Sequence, residues 1–350
     1  MKILYFECSM GAAGDMLAAS LFELLPPQAQ STFIEKMNAL NLPGVTVRAE
    51  RTAKCGIAGT HMSVRIDGVE EAEPDAAHDH AHHDGEHEHA HHEGEHDHAH
   101  HDDEHEHAHH HGSSLHDIEH ILKQLPLPER VRRDALSVYG LLASAESHAH
   151  GKPVDQIHFH EVGTLDALAD IVGVCLLINE LAPGRVLASP VHVGSGTIRC
   201  AHGILPVPAP ATAYLLQGVP TYGGAVLGEL CTPTGAALLK YFCEDFGERP
   251  VMRISGVGYG MGTKDFEAVN CVRAMLGETD DGRDEVVELK CNLDDMTPEA
   301  VGFAQERLFD AGALDVYTIA AGMKKNRPGV LLSCLCRKED AERMARLIFR

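Results

Sequence analysis

The sequence predicts an α/β protein (α/β with α+β character), and three observations lead to this prediction. Apolar residues recur at helical spacing in some segments and alternate in others, and the two patterns follow one another along most of the chain. The apolar content of 44% is typical of a globular protein, and 350 residues are enough for two or three domains. One polar segment, residues 70–111, interrupts the pattern. We therefore predict a mixed α/β N-terminal domain, formed by residues 1–69 and 112–276, with an insertion between its parts.

The N-terminal domain is predicted to begin with a strand, a glycine-containing turn and a helix. Lys2 to Cys8 alternates, Ser9 to Asp15 contains two glycines, and Met16 to Leu25 has helical spacing. The run Gly256–Gly262 does not match the spacing G-x-G-x-x-G, so we predict a glycine-rich strand or hinge there. The other elements are helices Thr32–Leu40, Leu115–Leu125, Glu129–His148, Thr164–Leu181, Ala211–Leu216 and Gly235–Phe242, and strands Val45–Ala49, His61–Ile66, Asp155–Val162, Val186–Val193 and Val219–Tyr222.

A polar linker, residues 277–284, precedes a C-terminal domain formed by residues 285–350. The βαββα order of its elements predicts an incomplete ferredoxin-like (split βαβ) domain that lacks its closing strand. These elements are strand Val286–Cys291, helix Pro298–Ala311, strands Asp315–Ala320 and Val330–Cys336, and helix Lys338–Phe349.

The net charge of -23 is concentrated in the insertion, where fifteen acidic residues lie between Glu70 and Glu106. The remainder is only mildly acidic, which argues against a general nucleic-acid-binding protein. The ten cysteines form no Cys-x-x-Cys pair, and no apolar stretch approaches the roughly 20 residues needed to cross a bilayer. We expect free thiols, no membrane segment, no signal peptide and a cytoplasmic location.

The insertion repeats one His-rich nonapeptide pattern and has almost no apolar residue larger than alanine, so we predict a disordered segment. Its imidazoles are suited to nickel, copper or zinc, and the repeated spacing favours storage, buffering or delivery of a metal over a solvated linker. It lacks the rigid surroundings of a catalytic site. The candidate ligands are His78, His80, His82, His83, His87, His89, His91, His92, His96, His98, His100, His101, His105, His107, His109, His110 and His111.

A second cluster of candidate ligands lies at one predicted strand-to-helix corner. His158 and His160 fall on one strand face, Glu161 lies at the end of the strand, and Asp166 and Asp170 lie four residues apart on the next helix. We predict metal ligands in His158, His160, Glu161 and Asp170, with Glu161 or Asp166 as a catalytic base. The alternative is that the histidines satisfy core hydrogen bonds and the aspartates solvate a helix face.

The C-terminal domain carries candidate nucleotide-binding residues. Asn292, Asp294 and Asp295 leave a predicted strand before a helix capped by Thr297, where carboxylates suit a hard cation and the helix N-terminus suits phosphates. A basic turn with Lys324, Lys325 and Arg327 offers countercharge. A capped helix start and a solvated basic turn explain the same residues equally well.

Five runs together resemble the LarC family, the nickel insertion proteins of nickel-pincer cofactor biosynthesis. The runs are Met10–Met16, His158–Asp166, His202–Thr212, Thr232–Ala237 and Cys291–Glu299. The resemblance implies a CTP-dependent nickel chelatase, of the lyase class, that acts on pyridinium-3,5-bisthiocarboxylic acid mononucleotide and binds nickel through one carbon and two sulfurs. It also implies that the C-terminal domain holds CTP with Mg²⁺ or Mn²⁺, at Asn292 and the other residues of the preceding paragraph. Family members continue beyond the position of Arg350, so we expect the closing strand to be absent.

The partners implied are the mononucleotide precursor, the apo-enzyme that uses the finished cofactor, and further copies of this chain in a homo-oligomer. Two other functions fit parts of the sequence. A non-enzymatic nickel or zinc store would need only the His-rich segment. A metal-dependent hydrolase would use the corner at His158 and would not require CTP.

Overall fold

The computed structural model describes most of the chain, with the backbone alone for Ser113 and His158; the described residues are 1–70, 113–159, 162–200, 203–279 and 286–349. The chain divides into two compact units, Met1–Thr279 and Asp280–Arg350. The predicted disordered insertion lies outside the described residues except for Glu70. This residue ends a short strand, so the prediction of disorder is wrong at Glu70.

The first unit is built on one mixed sheet with helices packed on one of its faces. Its helices are α1 Gly14–Phe22, α2 Pro27–Asn38, α3 Leu115–Gln124, α4 Glu129–His150, α5 Leu165–Leu181, α6 Pro210–Leu215 and α7 Pro233–Phe242. Its strands are β1 Lys2–Glu7, β2 Val45–Lys54, β3 Ile57–Ile66, β4 Val69–Glu70, β5 Ser113–Ser114, β6 His158–Phe159, β7 Arg185–Ala188, β8 Val191–His192, β9 Gly194–Ser195, β10 Thr197–Cys200, β11 Gly203–Pro206, β12 Thr221–Tyr222, β13 Gly228–Glu229, β14 Asp245–Phe246, β15 Arg253–Met261 and β16 Cys271–Glu278. The main sheet has the order β14-β7-β1-β16-β15-β3-β2, with β4 on β3.

The core lies between this sheet and the helices. Alternate residues of β1, Leu4 and Phe6, are buried against the helices, whereas Ile3 and Tyr5 belong to a small cluster on the opposite face. Helix α1 contacts β15, β3 and β16, α5 packs on α1, and α4 packs on α5. Because α5 lies between two helical neighbours, it is buried on almost all sides, which explains its nearly continuous apolar sequence.

The run predicted as a glycine-rich strand or hinge belongs to strand β15, where its glycines allow α1 to approach closely. A Cβ atom on Gly258 would lie 2.0 Å from the carbonyl oxygen of Ser20, and one on Gly260 would lie 1.8 Å from that of Met16. Both distances are shorter than any real contact. The strand is therefore glycine-rich because α1 packs backbone to backbone against it.

The turn before α1 contacts the segment before α7 through backbone hydrogen bonds. The amide of Ala12 donates to the carbonyl oxygen of Leu230 at 3.0 Å, and the amide of Thr232 donates to the carbonyl oxygen of Ala12 at 3.0 Å. Gly11 has φ +82°, and a Cβ on it would lie 1.8 Å from the oxygen of Leu230; a Cβ on Gly235 would lie 2.1 Å from the oxygen of Ala12. Only glycine permits this approach at both positions.

The second unit is a three-stranded antiparallel sheet with two helices. Its elements are β17 Val286–Leu293, α8 Pro298–Asp310, β18 Asp315–Met323, β19 Arg327–Arg337 and α9 Ala341–Ile348, and the strand order is β17-β19-β18. Leu308 and Met344 from the helices pack on Val316, Leu332 and Cys334 of the sheet. The predicted α/β class is confirmed by the mixture of helices and sheets in the described residues. Assignment to the ferredoxin-like fold stays a prediction.

Several predicted boundaries in the first unit are wrong for local reasons. Asp155 and Gln156 lie in a 3₁₀ turn after Pro153, and the described strand there is only His158–Phe159. The predicted strand Val186–Val193 breaks at Pro190, which has no amide hydrogen for a sheet. Strand β16, between β1 and β15, was not predicted.

All ten cysteines are free, and six of them are buried. Within the described ranges, none of the helices combines the length and the apolar character that a bilayer span requires.

We predict that Gly260→Ala lowers the free energy of unfolding by about 3 kcal/mol, because the added methyl group must displace the backbone of α1. The matched control is Gly140→Ala in α4, where a Cβ meets no atom within 4 Å. We expect this control to raise the free energy of unfolding by about 0.5 to 1 kcal/mol through helix propensity. Urea unfolding of both variants measures the difference, and equal stabilities would contradict the close packing of α1 on β15.

Candidate functional site

Two residues that follow the His-rich segment, Ser113 and Ser114, pair with the strand that carries His158. Ser113 pairs with Phe159 and Ser114 pairs with His158 in the antiparallel ladder of β5 and β6. The Ser114 side chain and Asp117 then form a capping box that begins α3. The chain that leaves the segment therefore enters a folded element beside the predicted corner.

The N-terminal end of the segment is held by Glu70, which makes two side-chain hydrogen bonds. One carboxylate oxygen lies 2.7 Å from Nε2 of His61, and the other accepts from the hydroxyl of Ser63 at 3.0 Å. Nδ1 of His61 lies 3.1 Å from the carbonyl oxygen of Met261. Because both neighbours of the ring accept hydrogen bonds, an imidazolium satisfies both contacts and a neutral ring with Glu70 ionised satisfies only one.

The pKa of His61 reflects these contacts. Burial lowers the pKa, but the hydrogen bonds to Glu70 and to Met261 and the negative charge of Asp15 outweigh burial, so the pKa is raised above 6.5. Oδ2 of Asp15 lies 3.8 Å from Nδ1 of His61, and only 16% of each side chain is exposed. His61 thus connects the base of the His-rich segment to the first turn of α1.

Asp170 of α5 lies beside Gly14, the residue that precedes Asp15. Its side chain is buried, and a Cβ atom on Gly14 would lie 2.5 Å from its Oδ2 atom. Gly14 is the first residue of α1, whose N-cap residue, Ala13, provides no side-chain cap. A carboxylate at this position is favoured by the exposed amides of a helix N-terminus.

Tyr139 of α4 packs against β6. Its ring is fully buried and lies 6.0 Å, between centroids, from the ring of Phe159. Burial raises the pKa of Tyr139, and the negative charges of Asp170 and Asp166 raise it further. Contacts therefore link Glu70 to His61 and Asp15 before the His-rich segment, and Tyr139 to Phe159 on the strand that pairs with Ser113 after it.

We name Asp15, Asp166 and Asp170 the acidic corner. These three carboxylates lie in the first two turns of α1 and α5. In the part of the chain that the structure describes, no three or more His, Cys, Asp or Glu side chains are arranged to hold a metal ion.

The structure describes only some of the residues that the sequence predicts for this site. Asp166 and Asp170 lie together on α5, as the helical spacing predicts. His158 is described by its backbone alone, and His160, Glu161 and the ligands His78 to His111 lie outside the described residues. The roles of all these residues as metal ligands, and of Glu161 or Asp166 as a base, stay predictions.

The second unit brings its six candidate nucleotide-binding residues to one end of its sheet. Asn292 pairs with Leu331 near the end of β17, and Asp294 and Asp295 follow that strand directly. The basic turn with Lys324, Lys325 and Arg327 connects β18 to β19, and Arg327 begins the strand that β17 pairs with. All six side chains are exposed to solvent.

Sequence reasoning missed His61, Glu70 and Tyr139, and it gave Asp15 no role. His61 and Glu70 lie on the paired strands β3 and β4, and Asp15 lies on the helix above them. The missed signal is the position of Glu70, a carboxylate at the border between an alternating strand and the polar insertion. Tyr139 gave no signal, because a tyrosine in an apolar helical stripe usually belongs to the core.

The structure defines an α/β protein with an acidic corner, and the His-rich sequence between β4 and β5 predicts that the protein handles metal ions. A family model described as "Nickel insertion protein" matches residues 4–350. The chain belongs to the nickel insertion protein family.

Two relatives and one solved structure illustrate the similarity. Both relatives are named "Pyridinium-3,5-bisthiocarboxylic acid mononucleotide nickel insertion protein". The protein from Clostridium kluyveri is 39% identical over 354 residues, which cover 100% of this chain and 81% of the relative. The protein from Clostridium acetobutylicum is 40% identical over 355 residues, which cover 100% of this chain and 82% of the relative. The structure is "LarC2, the C-terminal domain of a cyclometallase involved in the synthesis of the NPN cofactor of lactate racemase, apo form", with 38% identity, 18% of this chain covered, 44% of that chain covered and a TM-score of 0.18.

We predict that His61 stabilises the fold at low pH and loses this effect as the pH rises. Its folded-state pKa is raised, so the stabilisation is complete below about pH 6.5, the unfolded pKa, and disappears as the pH passes the folded-state pKa. The free energy of unfolding of the natural protein should exceed that of His61→Gln by about 1 kcal/mol at acidic pH, and the two should be equal at alkaline pH. Urea unfolding between about pH 5 and about pH 9 measures this difference. His116→Gln, an exposed histidine of α3, is the control, and a difference that does not vary with pH would contradict an imidazolium at His61.

Proposed function

We propose that this protein is a cytoplasmic nickel chelatase that inserts nickel into pyridinium-3,5-bisthiocarboxylic acid mononucleotide with CTP as co-substrate. Family membership and the names of the relatives support the substrate and the metal. The free state of all ten cysteines supports a reducing compartment. The single structural observation that supports the proposal is the pairing of β5 with β6, because β5 follows the His-rich segment in the sequence and β6 carries His158.

The His-rich segment captures nickel and delivers it to the corner at His158. Many imidazoles on one segment bind a borderline ion through changing sets of ligands, so the ion can leave for a site of higher affinity. His158, His160, Glu161 and Asp170 form this second site in our proposal. The buried carboxylate of Asp170 beside Gly14 supports it, because a fixed anion near the ligands favours a divalent cation.

Insertion of nickel between the two thiocarboxylates places the metal against the ring carbon that they flank, and that carbon must lose its proton. A carboxylate near the metal accepts such a proton most easily, and Glu161 and Asp166 are the two candidates. Asp166 is supported by its position in the first turn of α5, close to Tyr139 and one turn from Asp170.

The second unit binds CTP in this proposal, as an incomplete ferredoxin-like domain. Asp294 and Asp295 hold the Mg²⁺ or Mn²⁺ ion of the nucleotide, and Lys324, Lys325 and Arg327 contact its phosphates. The support is their position at one end of the sheet, where carboxylates suited to a hard cation and a basic turn are both exposed. The metal ion would neutralise charge on the phosphates when CTP is cleaved.

We predict that deletion of His78–His111 raises the nickel concentration needed for half-maximal insertion by about tenfold or more, because the local supply of bound metal is lost. Insertion at high nickel should continue. The double variant His158→Ala, His160→Ala should lose insertion at every nickel concentration. Mass spectrometry of the metallated cofactor measures both effects in mixtures of protein, precursor, nickel and CTP, with each component omitted in turn.

The matched control is the double variant His116→Ala, His120→Ala, which removes two exposed histidines of α3 outside the proposed site. We expect it to behave as the natural protein does. A protein that only stores nickel would bind the metal in all these mixtures and form no metallated cofactor, and this result would contradict the proposed function. Insertion by the His158→Ala, His160→Ala variant at the natural rate would remove the corner from the proposal.

A further inference from the structure

The core-facing stripe of α4 includes a tyrosine whose hydroxyl is not used by the fold. Ala135, Val138, Tyr139 and Leu142 lie at helical spacing, and all four are buried. The hydroxyl of Tyr139 has no hydrogen-bond partner among the residues that the structure describes. A buried hydroxyl without a hydrogen bond costs free energy, and phenylalanine would fill nearly the same space without this cost. Packing alone therefore does not explain the tyrosine.

A second tyrosine that contacts α4 shows how the fold satisfies such a group. The hydroxyl of Tyr241 of α7 donates to Oδ1 of the buried Asp134 of α4 at 2.9 Å. A phenol with a structural role thus has its partner within the fold. Tyr139 has none in the described part of the chain, which points to a partner that its hydroxyl meets only when the protein acts.

The surroundings of the Tyr139 hydroxyl are dominated by helix α5, on which α4 packs. Burial raises the pKa of Tyr139 most, and the negative charges of Asp170, Asp166 and Cys175 raise it further, in that order. All three of these groups belong to α5. Because its pKa is raised, the phenol keeps its proton at any physiological pH and acts as a hydrogen-bond donor.

Asp170 is the better acceptor of the two carboxylates. Its side chain is buried, whereas Asp166 is partly exposed, so Asp170 depends more on donors from the protein. On its other side, Asp170 packs against α1, where a Cβ atom on Gly14 would lie 2.5 Å from Oδ2. Helix α1 therefore restricts the movement of this carboxylate on one side, and a donor from α4 would restrict it on another.

A donor without charge suits a carboxylate that binds a metal ion. The carboxylate can bind the ion through one oxygen and accept a hydrogen bond through the other, and the hydrogen bond fixes the orientation of the ligand. Lysine or arginine at the same place would repel a divalent cation, whereas the hydroxyl of Tyr139 adds no net charge. A neutral, permanently protonated donor is what the position requires.

We propose that Tyr139 is a positioning residue for nickel, whose hydroxyl donates a hydrogen bond to the carboxylate of Asp170 when that carboxylate binds the metal. This inference rests on the proposed function, since it takes Asp170 as a nickel ligand from it. It adds a residue that holds the ligand in place and does not itself touch the metal or the substrate.

The test removes the hydroxyl and leaves the ring, in Tyr139→Phe. Insertion is followed by mass spectrometry of the metallated cofactor, with precursor and CTP in excess and the free nickel concentration held constant by a chelator. We expect the nickel concentration for half-maximal insertion to rise about tenfold or more, with an unchanged rate at saturating nickel. The urea midpoint of unfolding, measured without nickel, should equal or exceed that of the natural protein, because the removed hydroxyl has no partner in the fold.

Tyr241→Phe is the matched control, because its hydroxyl has a partner within the fold. Loss of the hydrogen bond to Asp134 should lower the urea midpoint and leave the half-maximal nickel concentration unchanged. A merely structural role of Tyr139 would make Tyr139→Phe behave in the same way as this control.

A further comparison tests whether Tyr139 acts through Asp170. In Asp170→Asn the proposed ligand is lost, so adding Tyr139→Phe should change the half-maximal nickel concentration by less than about twofold. A second tenfold loss in the double variant would assign the effect to another group and overturn the inference. If Asp170→Asn inserts no nickel at any concentration, Tyr139→Phe and its control decide alone.

The outcomes separate this inference from the proposed function. If the natural protein inserts nickel and Tyr139→Phe has the same nickel dependence, the inference is overturned and nickel insertion stands. A urea midpoint of Tyr139→Phe below that of the natural protein means that the hydroxyl stabilises the fold, and it also overturns the inference. If the natural protein forms no metallated cofactor in the complete mixture, the proposed function fails, and the inference fails with it.

Discussion

Two backbone hydrogen bonds between Ala12 and the segment from Leu230 to Thr232 join the turn before α1 to the segment before α7. Gly11 and Gly235 make the approach possible, because any side chain there would meet a carbonyl group. Asp15 of the acidic corner follows this turn, and Gly14 beside it contacts Asp170. The contact therefore fixes the start of α1, with Asp15, relative to the start of α7.

Folded elements flank the His-rich segment on both sides in the sequence. Glu70 contacts His61 and Ser63, and Ser113 and Ser114, which follow the segment, pair with β6. In our proposal the segment binds nickel through changing sets of ligands, because a closed set would retain a metal that has to pass to the substrate.

The sequence alone predicts the class of the fold and one part of the site. Helices α4, α5 and α7 follow from apolar spacing because each packs a wide stripe on its neighbours, and Asp166 with Asp170 follows from helical geometry. Strand β16 was missed because burial is continuous from Ala274 to Gly277, so the apolar run does not alternate. The contacts of His61 with Asp15 and with Met261 join elements that are far apart in the sequence. Local patterns carry no information about such pairs.

In the proposed function, nickel reaches the substrate through the His-rich segment and not directly from solution. To test this route, the protein is loaded with a heavy nickel isotope, free metal is removed, and the reaction is started with precursor, CTP and an excess of the common isotope. Mass spectrometry of the first metallated cofactor then gives the isotope ratio. We expect the heavy isotope to be strongly enriched over its share of the total nickel, and the enrichment to disappear when His78–His111 are deleted. A first product with the isotope ratio of the bulk solution would overturn delivery through the segment.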